Sequence, residues 1–556
     1  MINKKKSFRK KIDQFLHRHT ISYEPVHSII KRFTQYIFFG VIVIILSILI
    51  FYRTKGYTIN TDGTTERRGL VLINSQPEGA KFSIDGKESG ETDGKAELKE
   101  GQHTISINKD GYHQWSKTIN LQAQQVEWLY YPRLIPTDLS PINVLSDLKS
   151  SAISDQSPKD LILTISPAQT PPNPPAQPAL SLINLTKLSK AGYAPEPVSI
   201  PADFFVHDAN TNYGTISFLE WSPKGDAITL QQVLPDGAIN LYSVNIEDSR
   251  FSSNITKATG GAAQQVHYNQ DSDLFILTGS TVSLYNQRTL QPASEVIKED
   301  PAVAKIINFK AFHDKSFIYV TSQPSNQDPA KLDYSVFLKK EGGSSVKLAG
   351  YIQSASAPIS LDYEYIANRR RDYAAVLKGP GSPQLLVYKD PLKSLEGGSP
   401  KLEPIYSASL KSLQDPKIKA GPASSNEPGR WLAVQEDSDT LLTFSLEEEN
   451  ISSVDLKLIS KDSSQTILPT AQNTGLTATP LSFKTVAWVS SHILQAVTDS
   501  GEIYTVDYDG NYLNGIGKTK LRTGIFLPKE GYLFTVSEPD QNGGSNINLT
   551  RLDGQE

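Results

Sequence analysis

Six histidines lie beyond residue 100: His103, His113, His207, His267, His313 and His492. Imidazole is the commonest metal ligand and general base, but these six form no local cluster. His103 and His113, with Trp115 close by, read as surface or packing residues rather than ligands. There is no cysteine, which excludes disulfides, thiolate metal sites and a cysteine nucleophile together. Neither Gly-x-Ser-x-Gly nor His-Glu-x-x-His occurs.

Other candidates weaken on inspection. Asn514–Leu521 (NGIGKTKL) is similar to a phosphate loop, but Tyr512 stands where its first glycine belongs, so it reads as an inter-strand loop. Asn269–Asp273 (NQDSD) lacks the sixth-position glycine and the acidic twelfth residue of a helix–loop–helix calcium site, and reads as a turn. Arg369, Arg370 and Arg371 alternate sides on a strand and build no single basic patch. Glu447, Glu448 and Glu449 read as a charged turn between two repeat units. No catalytic, cofactor-binding or metal-binding residue is therefore expected, and the ligand-binding residues stay unassigned.

The elements that must carry any site begin with a greasy run. Tyr36–Tyr52 (YIFFGVIVIILSILIFY) contains no charge and has aromatic residues at both ends. From Phe33, twenty residues at ~1.5 Å each match a hydrocarbon core. Residues 1–35 carry a net charge of +7 and the remainder −11. The positive-inside rule then predicts a cytoplasmic head (1–35), a membrane helix (36–52) and an extracytoplasmic body. A cleaved signal peptide is the competing reading. The basic head fits an anionic inner leaflet, and its stretch FRKKIDQFLHRH has an apolar helical face at Phe8, Ile12, Phe15 and Leu16 that could lie on it, with a disordered basic tail as the equal alternative. The acidic body excludes a nucleic-acid footprint.

After a linker at 53–67, the pattern turns to period two. Six short strands are expected over 68–135, with a turn at Pro77–Ala80 and a tight turn at Asp85-Gly86. This stretch resembles the PEGA domain family. The resemblance rests on Pro77, Glu78, Gly79 and Ala80, on Asp85-Gly86 with Gly90 and Thr92, and on LKEGQHTISINKDGY from Leu98 to Tyr112. It implies a small β-sandwich in an extracytoplasmic envelope protein, and no catalytic residues.

From 136 to 556 the chain is all-β, with about eight loose repeats at roughly 50-residue spacing. The clearest begins at Ile216 (ISFLEWSPKGDAITLQQVLPDGAINLYSVNIED). Its turn, Trp221–Asp226, resembles that of TolB-type and WD-type propeller blades. Four short strands per repeat predict a β-propeller of seven or eight blades, and a tandem of β-sandwiches is the alternative. The Pro-rich stretch 166–179 reads as an insertion between two strands of the first blade, with a domain linker as the other possibility.

The fold class expected is thus mainly β: one transmembrane helix, a PEGA-like sandwich and a large propeller. The function expected is non-catalytic binding of an envelope protein or glycan, with no cofactor. An extracytoplasmic propeller glycosidase or lyase is the alternative, as is a scaffold of an envelope or secretion assembly. A propeller active site would draw carboxylates or histidines from different blades, which sequence spacing cannot reveal.

Overall fold

A computed structural model describes residues 26–54, 57–59 and 65–552, less 168–176, 397–401, 411–417, 421–430, 436–439, 456–482 and scattered stretches of one to three residues. The chain divides into two compact units. The first comprises residues 1–107 and 117–132, the second 108–116 and 133–556.

The first unit opens with a helix, Val26–Thr54. It starts ten residues before the uncharged run, because a helix continues through Lys31 and Arg32 without penalty where no Pro or Gly stops it. Its apolar side chains are exposed along their length, Phe38 at 67% and Ile44 at 60%. It is long and apolar enough to cross a membrane.

Eight strands follow, all in this unit except the end of β6 (Asn108) and the start of β7 (Trp115 and Ser116), which belong to the second: β1 (Tyr57–Ile59), β2 (Thr65–Ile73), β3 (Lys81–Ile84), β4 (Lys87–Glu91), β5 (Gly94–Lys99), β6 (Gly101–Asn108), β7 (Trp115–Leu121) and β8 (Val126–Leu129). They form two four-stranded sheets, one of β1, β2, β5 and β8, the other in the order β4-β3-β6-β7. Seven of these strands lie within or reach into 68–135 where six were expected, and β1 with the start of β2 occupies part of the expected linker. The charges of Glu66, Arg67 and Arg68 hide the alternation there. Asp85 (φ 52°) and Gly86 (φ 80°) both adopt the left-handed conformation that a two-residue hairpin between β3 and β4 requires. Val71, Ile73, Phe82, Ile105 and Ile107 fill the core.

The second unit contains eight four-stranded antiparallel sheets in succession. Their first strands are Ala152–Ile153, Thr215–Trp221, Ala263–Tyr268, Lys305–Ala311, Leu361–Ala367, Ile418–Ala420, Phe483–Trp488 and Ile525–Leu527. The eighth sheet holds only three strands from the C-terminal end. Its fourth is β9, Pro141–Leu148, which pairs with Ser545–Arg551. The two ends of the unit are thereby hydrogen-bonded into one sheet.

Burial grades across each sheet for a physical reason. Second strands such as Ser316–Pro324 and Asp372–Lys378 read as near-continuous apolar runs, because both faces meet a neighbouring sheet. Outer strands such as β9 are largely exposed. Ile165 and Leu180 of the first sheet pack on Ile228 and Tyr242 of the second. Phe275 of the third packs with Phe309 and Phe317 of the fourth, and Val376 of the fifth with Val320 and Val336 of the fourth. Leu377 meets Leu432 of the sixth, and Ala433 meets Val486 and Leu494 of the seventh. Val497 and Ile503 meet Leu533 of the eighth, whose Phe534 and Ile547 pack on Ile162 and Ile183 of the first. Each fully buried Phe or Ile contributes roughly 1.5–3 kcal/mol of transfer free energy. Residues 168–176 fall between two paired strands of the first sheet, Leu161–Ser166 and Ala179–Asn184, with Ser166 opposite Ala179.

Candidate functional site

The first strands of neighbouring sheets run side by side in the second unit, at the first and second, second and third, and third and fourth sheets. There they carry ionisable side chains that lie far apart in sequence. Glu220 is the next-to-last residue of the first strand of the second sheet. A β-bulge between Phe218 and Glu220 shifts the register there, the usual way to re-aim a strand side chain. Its Oε1 accepts from the Tyr268 backbone N–H at 2.6 Å and its Oε2 lies 3.0 Å from His267 Nδ1, both in the third sheet. The His267 ring stands edge-on to Phe309 of the fourth sheet, centroids 5.0 Å apart. Gln265 Nε2 donates to the Ile307 carbonyl at 2.8 Å, while its buried Oε1 has no hydrogen-bond partner.

The fourth and fifth sheets continue the girdle. Lys310 Nζ donates to Glu364 Oε2 at 3.0 Å and to the Tyr363 carbonyl at 3.1 Å, and sits 5.3 Å from the centre of the Tyr363 ring. Burial works to lower the pKa of the Lys310 ammonium, but Glu364, Asp362 and Glu220 outweigh it and the net shift is upward. Burial, with Asp362 and Glu364 adding to it, holds the Tyr363 phenol well above its ordinary value. Asp362 Oδ2 accepts from the Ile418 backbone N–H of the sixth sheet at 2.7 Å. Five consecutive sheets are thus linked at their first strands by polar side chains. The Glu220–His267 and Lys310–Glu364 pairs remain a quarter to a third exposed, so solvent and solutes reach them. Chemically, a carboxylate–imidazole pair can exchange a proton, and the girdle can offer hydrogen bonds of both kinds to a polar ligand.

A separate cleft of about 600 Å³ opens between the seventh and eighth sheets. Leu139, Pro141, Ile516 and Val536 supply its apolar wall. Thr519, Thr535, Ser537, Asn548 and Thr550 supply hydroxyl and amide groups, with Glu502, Lys518 and Glu538 charged. Its volume falls in the range of small-ligand sites, ~300–1,000 Å³. Part of the wall is the edge strand Asn514–Lys518, so the stretch read as an inter-strand loop begins as a strand.

The residues singled out in the sequence are scattered. His103 Nδ1 lies 2.7 Å from Asp85 Oδ2 in the first unit. The His113 carbonyl accepts from the Tyr512 hydroxyl at 3.0 Å, and Trp115 is fully buried with its Nε1–H donating to Asp507 Oδ2 at 2.8 Å. His207 Nδ1 lies 2.8 Å from the Asp208 carbonyl oxygen, and His492 is buried with its ring edge-on to Tyr508. Asn269 Oδ1 accepts from the backbone N–H groups of Asp271 and Asp273, which makes NQDSD a side-chain-capped turn. His313, Arg369, Arg370 and Glu447–Glu449 lie outside the described residues, and Arg371 is exposed in the connection before the strand Asp372–Lys378 rather than on a strand as expected. Among the described residues no group of three or more His, Asp or Glu is placed to hold a metal.

Sequence reasoning passed over Glu220, Lys310, Asp362 and Glu364 and left His267 as one of six isolated histidines. A signal was present. Aligning the repeats sets FLEW, QVHY, NFKA and DYEY in register, with one ionisable residue in the third position of each.

The PEGA domain family model matches residues 68–134. No curated protein matches the sequence. Among solved structures, an oligogalacturonate lyase from Vibrio parahaemolyticus aligns at 12% identity over 74% of this chain and 98% of its own, with a TM-score of 0.35. A dihydro-haem d1 dehydrogenase aligns at 11% identity over 72% and 76%, TM-score 0.36. A prolyl endopeptidase aligns at 9% over 73% and 54%, TM-score 0.38. Likenesses this faint say nothing of activity.

Proposed function

We propose that the chain is a single-pass, membrane-anchored extracytoplasmic protein whose second unit is an eight-bladed β-propeller that binds a protein or glycan without transforming it. The apolar N-terminal helix and the basic residues before it support the anchor and its orientation. The PEGA match supports an extracytoplasmic body. The eightfold succession of sheets, with β9 completing the last and the last packed on the first, supports the propeller and its blade number.

The observation that carries the binding reading is the cleft between the seventh and eighth sheets. An apolar wall beside hydroxyl, amide and charged groups suits the two faces of a sugar ring or a polar peptide side chain. Binding of the full-length protein in detergent to glycan arrays and to envelope-protein extracts tests it. Ser537→Trp puts an indole into the half-buried position beside the cleft and is expected to weaken the bound ligand at least tenfold. Unchanged binding by this folded variant rejects the cleft as the site.

The Glu220–His267 pair favours a second reading, an extracytoplasmic glycosidase or lyase. Turnover of polysaccharides by the wild type, abolished by His267→Ala, would replace binding with catalysis.

A further inference from the structure

On the first unit, the outer face of the sheet containing β2, β5 and β8 carries an aromatic and aliphatic stripe. Val126 is 43% exposed, Trp128 58% and Tyr130 41%. Alternation along β8 puts Val126 and Trp128 outward while Leu129 is buried, and Tyr130 continues the outward series. The partly buried Leu70 and Leu72 of β2 lie directly opposite Val126 and Trp128. On the far side of β2, Lys95 pairs with Leu72, Glu97 with Leu70 and Lys99 with Arg68. The face thus reads Lys95–Leu72–Trp128 in one row and Glu97–Leu70–Val126 in the next, with Lys99 and Arg68 beyond and Glu66 next along β2, so three basic positions stand beside two acidic ones, with Lys95 nearest the aromatic end.

Its position in the chain says what covers it. Only Lys55 and Gly56 separate the helix end, Thr54, from β1 at Tyr57. Tyr57 therefore lies within about 11 Å of Thr54 along the chain. β1 pairs antiparallel to β2 with Tyr57 opposite Arg67 and Ile59 opposite Thr65, so the end of β1 nearer the helix in sequence is the end nearer Leu70–Ile73 of β2. β8 runs parallel to β2 over that same stretch, Leu70–Ile73. The Leu70–Val126 pair is three residues from Arg67, ~10 Å, and Leu72–Trp128 is five, ~17 Å. Indole, phenol, aliphatic and ammonium groups together are the composition that settles at the boundary of acyl chains and anionic headgroups.

We propose that this face, centred on Trp128 with Val126, Tyr130 and Lys95, lies against the headgroup layer of the bilayer that holds the helix, with anionic lipid as its ligand. The inference rests on the membrane anchor proposed above. It makes the first unit a second, peripheral contact with the membrane surface, rather than a free spacer.

The absence of native cysteine permits a direct test. Single-cysteine variants of the full chain carry a nitroxide at Val126, at Lys95 (which leaves Trp128 in place), at Glu88 on the exposed β4 of the other sheet, and at Ile44 in the helix. They are reconstituted in phosphatidylcholine vesicles containing one quarter phosphatidylglycerol, with a nickel chelate on both sides of the bilayer. Labels at 126 and 95 are expected to be at least threefold less accessible to the chelate than the label at 88. Adding Trp128→Glu to the Lys95→Cys variant should remove most of that shielding. If positions 126 and 95 match 88 while 44 is protected, the anchor stands and the surface contact is refuted. Exposure at 44 refutes the anchor and with it this inference. Equal shielding in vesicles of phosphatidylcholine alone refutes the anionic-lipid component.

Discussion

Removing the Glu220 carboxylate tests whether the polar girdle holds neighbouring sheets together. In Glu220→Ala the Tyr268 N–H loses its acceptor at 2.6 Å, and Tyr268 is only 6% exposed, so water replaces that acceptor poorly. A hydrogen bond to a charged group contributes about 1.5–3 kcal/mol, and leaving the buried donor unsatisfied places the cost towards the upper end. The His267 contact, about a third exposed on either side, adds no more than ~1 kcal/mol. The expected destabilisation is about 3 kcal/mol. Glu220→Gln keeps an acceptor for Tyr268 and is expected to cost less than ~1 kcal/mol. Because a chain of several units need not unfold in one step, the assay is amide hydrogen exchange at Tyr268 alongside urea unfolding followed by tryptophan fluorescence. Glu220→Ala should speed exchange at Tyr268 by about a hundredfold, with Glu220→Gln near wild type. Exchange in Glu220→Ala within twofold of wild type would refute the stitching argument, and equal effects of the two variants would refute its hydrogen-bond basis.

Three further outcomes follow from local geometry. Gly214 sits at φ 63° with an added Cβ directed into the Val233 carbonyl oxygen, so Gly214→Ala should lower the melting temperature sharply, by more than the ~1 kcal/mol of a strain-free exchange, as calorimetry would read. Trp115→Phe removes the indole donor from the buried Asp507 carboxylate and is expected to cost about 2–3 kcal/mol in urea unfolding; a change under 0.5 kcal/mol contradicts the assignment. The His103–Asp85 contact predicts a pH window. Burial works to lower the His103 pKa, but the hydrogen bonds its ring donates to Asp85 and to the Lys99 carbonyl, with the Asp85 charge, together outweigh it and the pKa is raised above 6.5. That contribution is complete below pH 6.5 and is lost as pH rises through the raised value. The hydrogen bond that Asp85 accepts from His103, with that from the Thr104 N–H, lowers Asp85 below 3.8, a contribution present above that pH and lost as pH falls through the lowered value. Protection of the Thr104 amide should therefore peak between about pH 4 and 6.5, and Asp85→Asn should flatten the profile.

How much of this molecule could be read from residue order depends on the range of the forces involved. The helix at Val26–Thr54, the Asp85-Gly86 turn and the fourfold strand rhythm come from local causes: an uncharged apolar run, residues that accept positive φ, and alternation at period two. The Trp221–Asp226 turn is equally local, closed by Ser222 Oγ donating to Asp226 Oδ1 at 2.7 Å and by the Gly225 N–H donating to the Ser222 carbonyl at 2.8 Å. Even the Pro-rich stretch betrays its place through the strands on either side.

What tertiary structure alone decided is which distant strands meet. β9 completes the eighth sheet from about 400 residues away, with Asn143 opposite Asn548. Glu220 and His267 are 47 residues apart, and Trp115 and Asp507 are 392 apart. No periodicity encodes such pairs, because each forms only when the apolar faces of adjacent sheets have packed and brought their first strands side by side. Sequence specified the sheets one at a time. Burial of their faces against one another, the last against the first, chose the neighbours and assembled the polar girdle and the cleft.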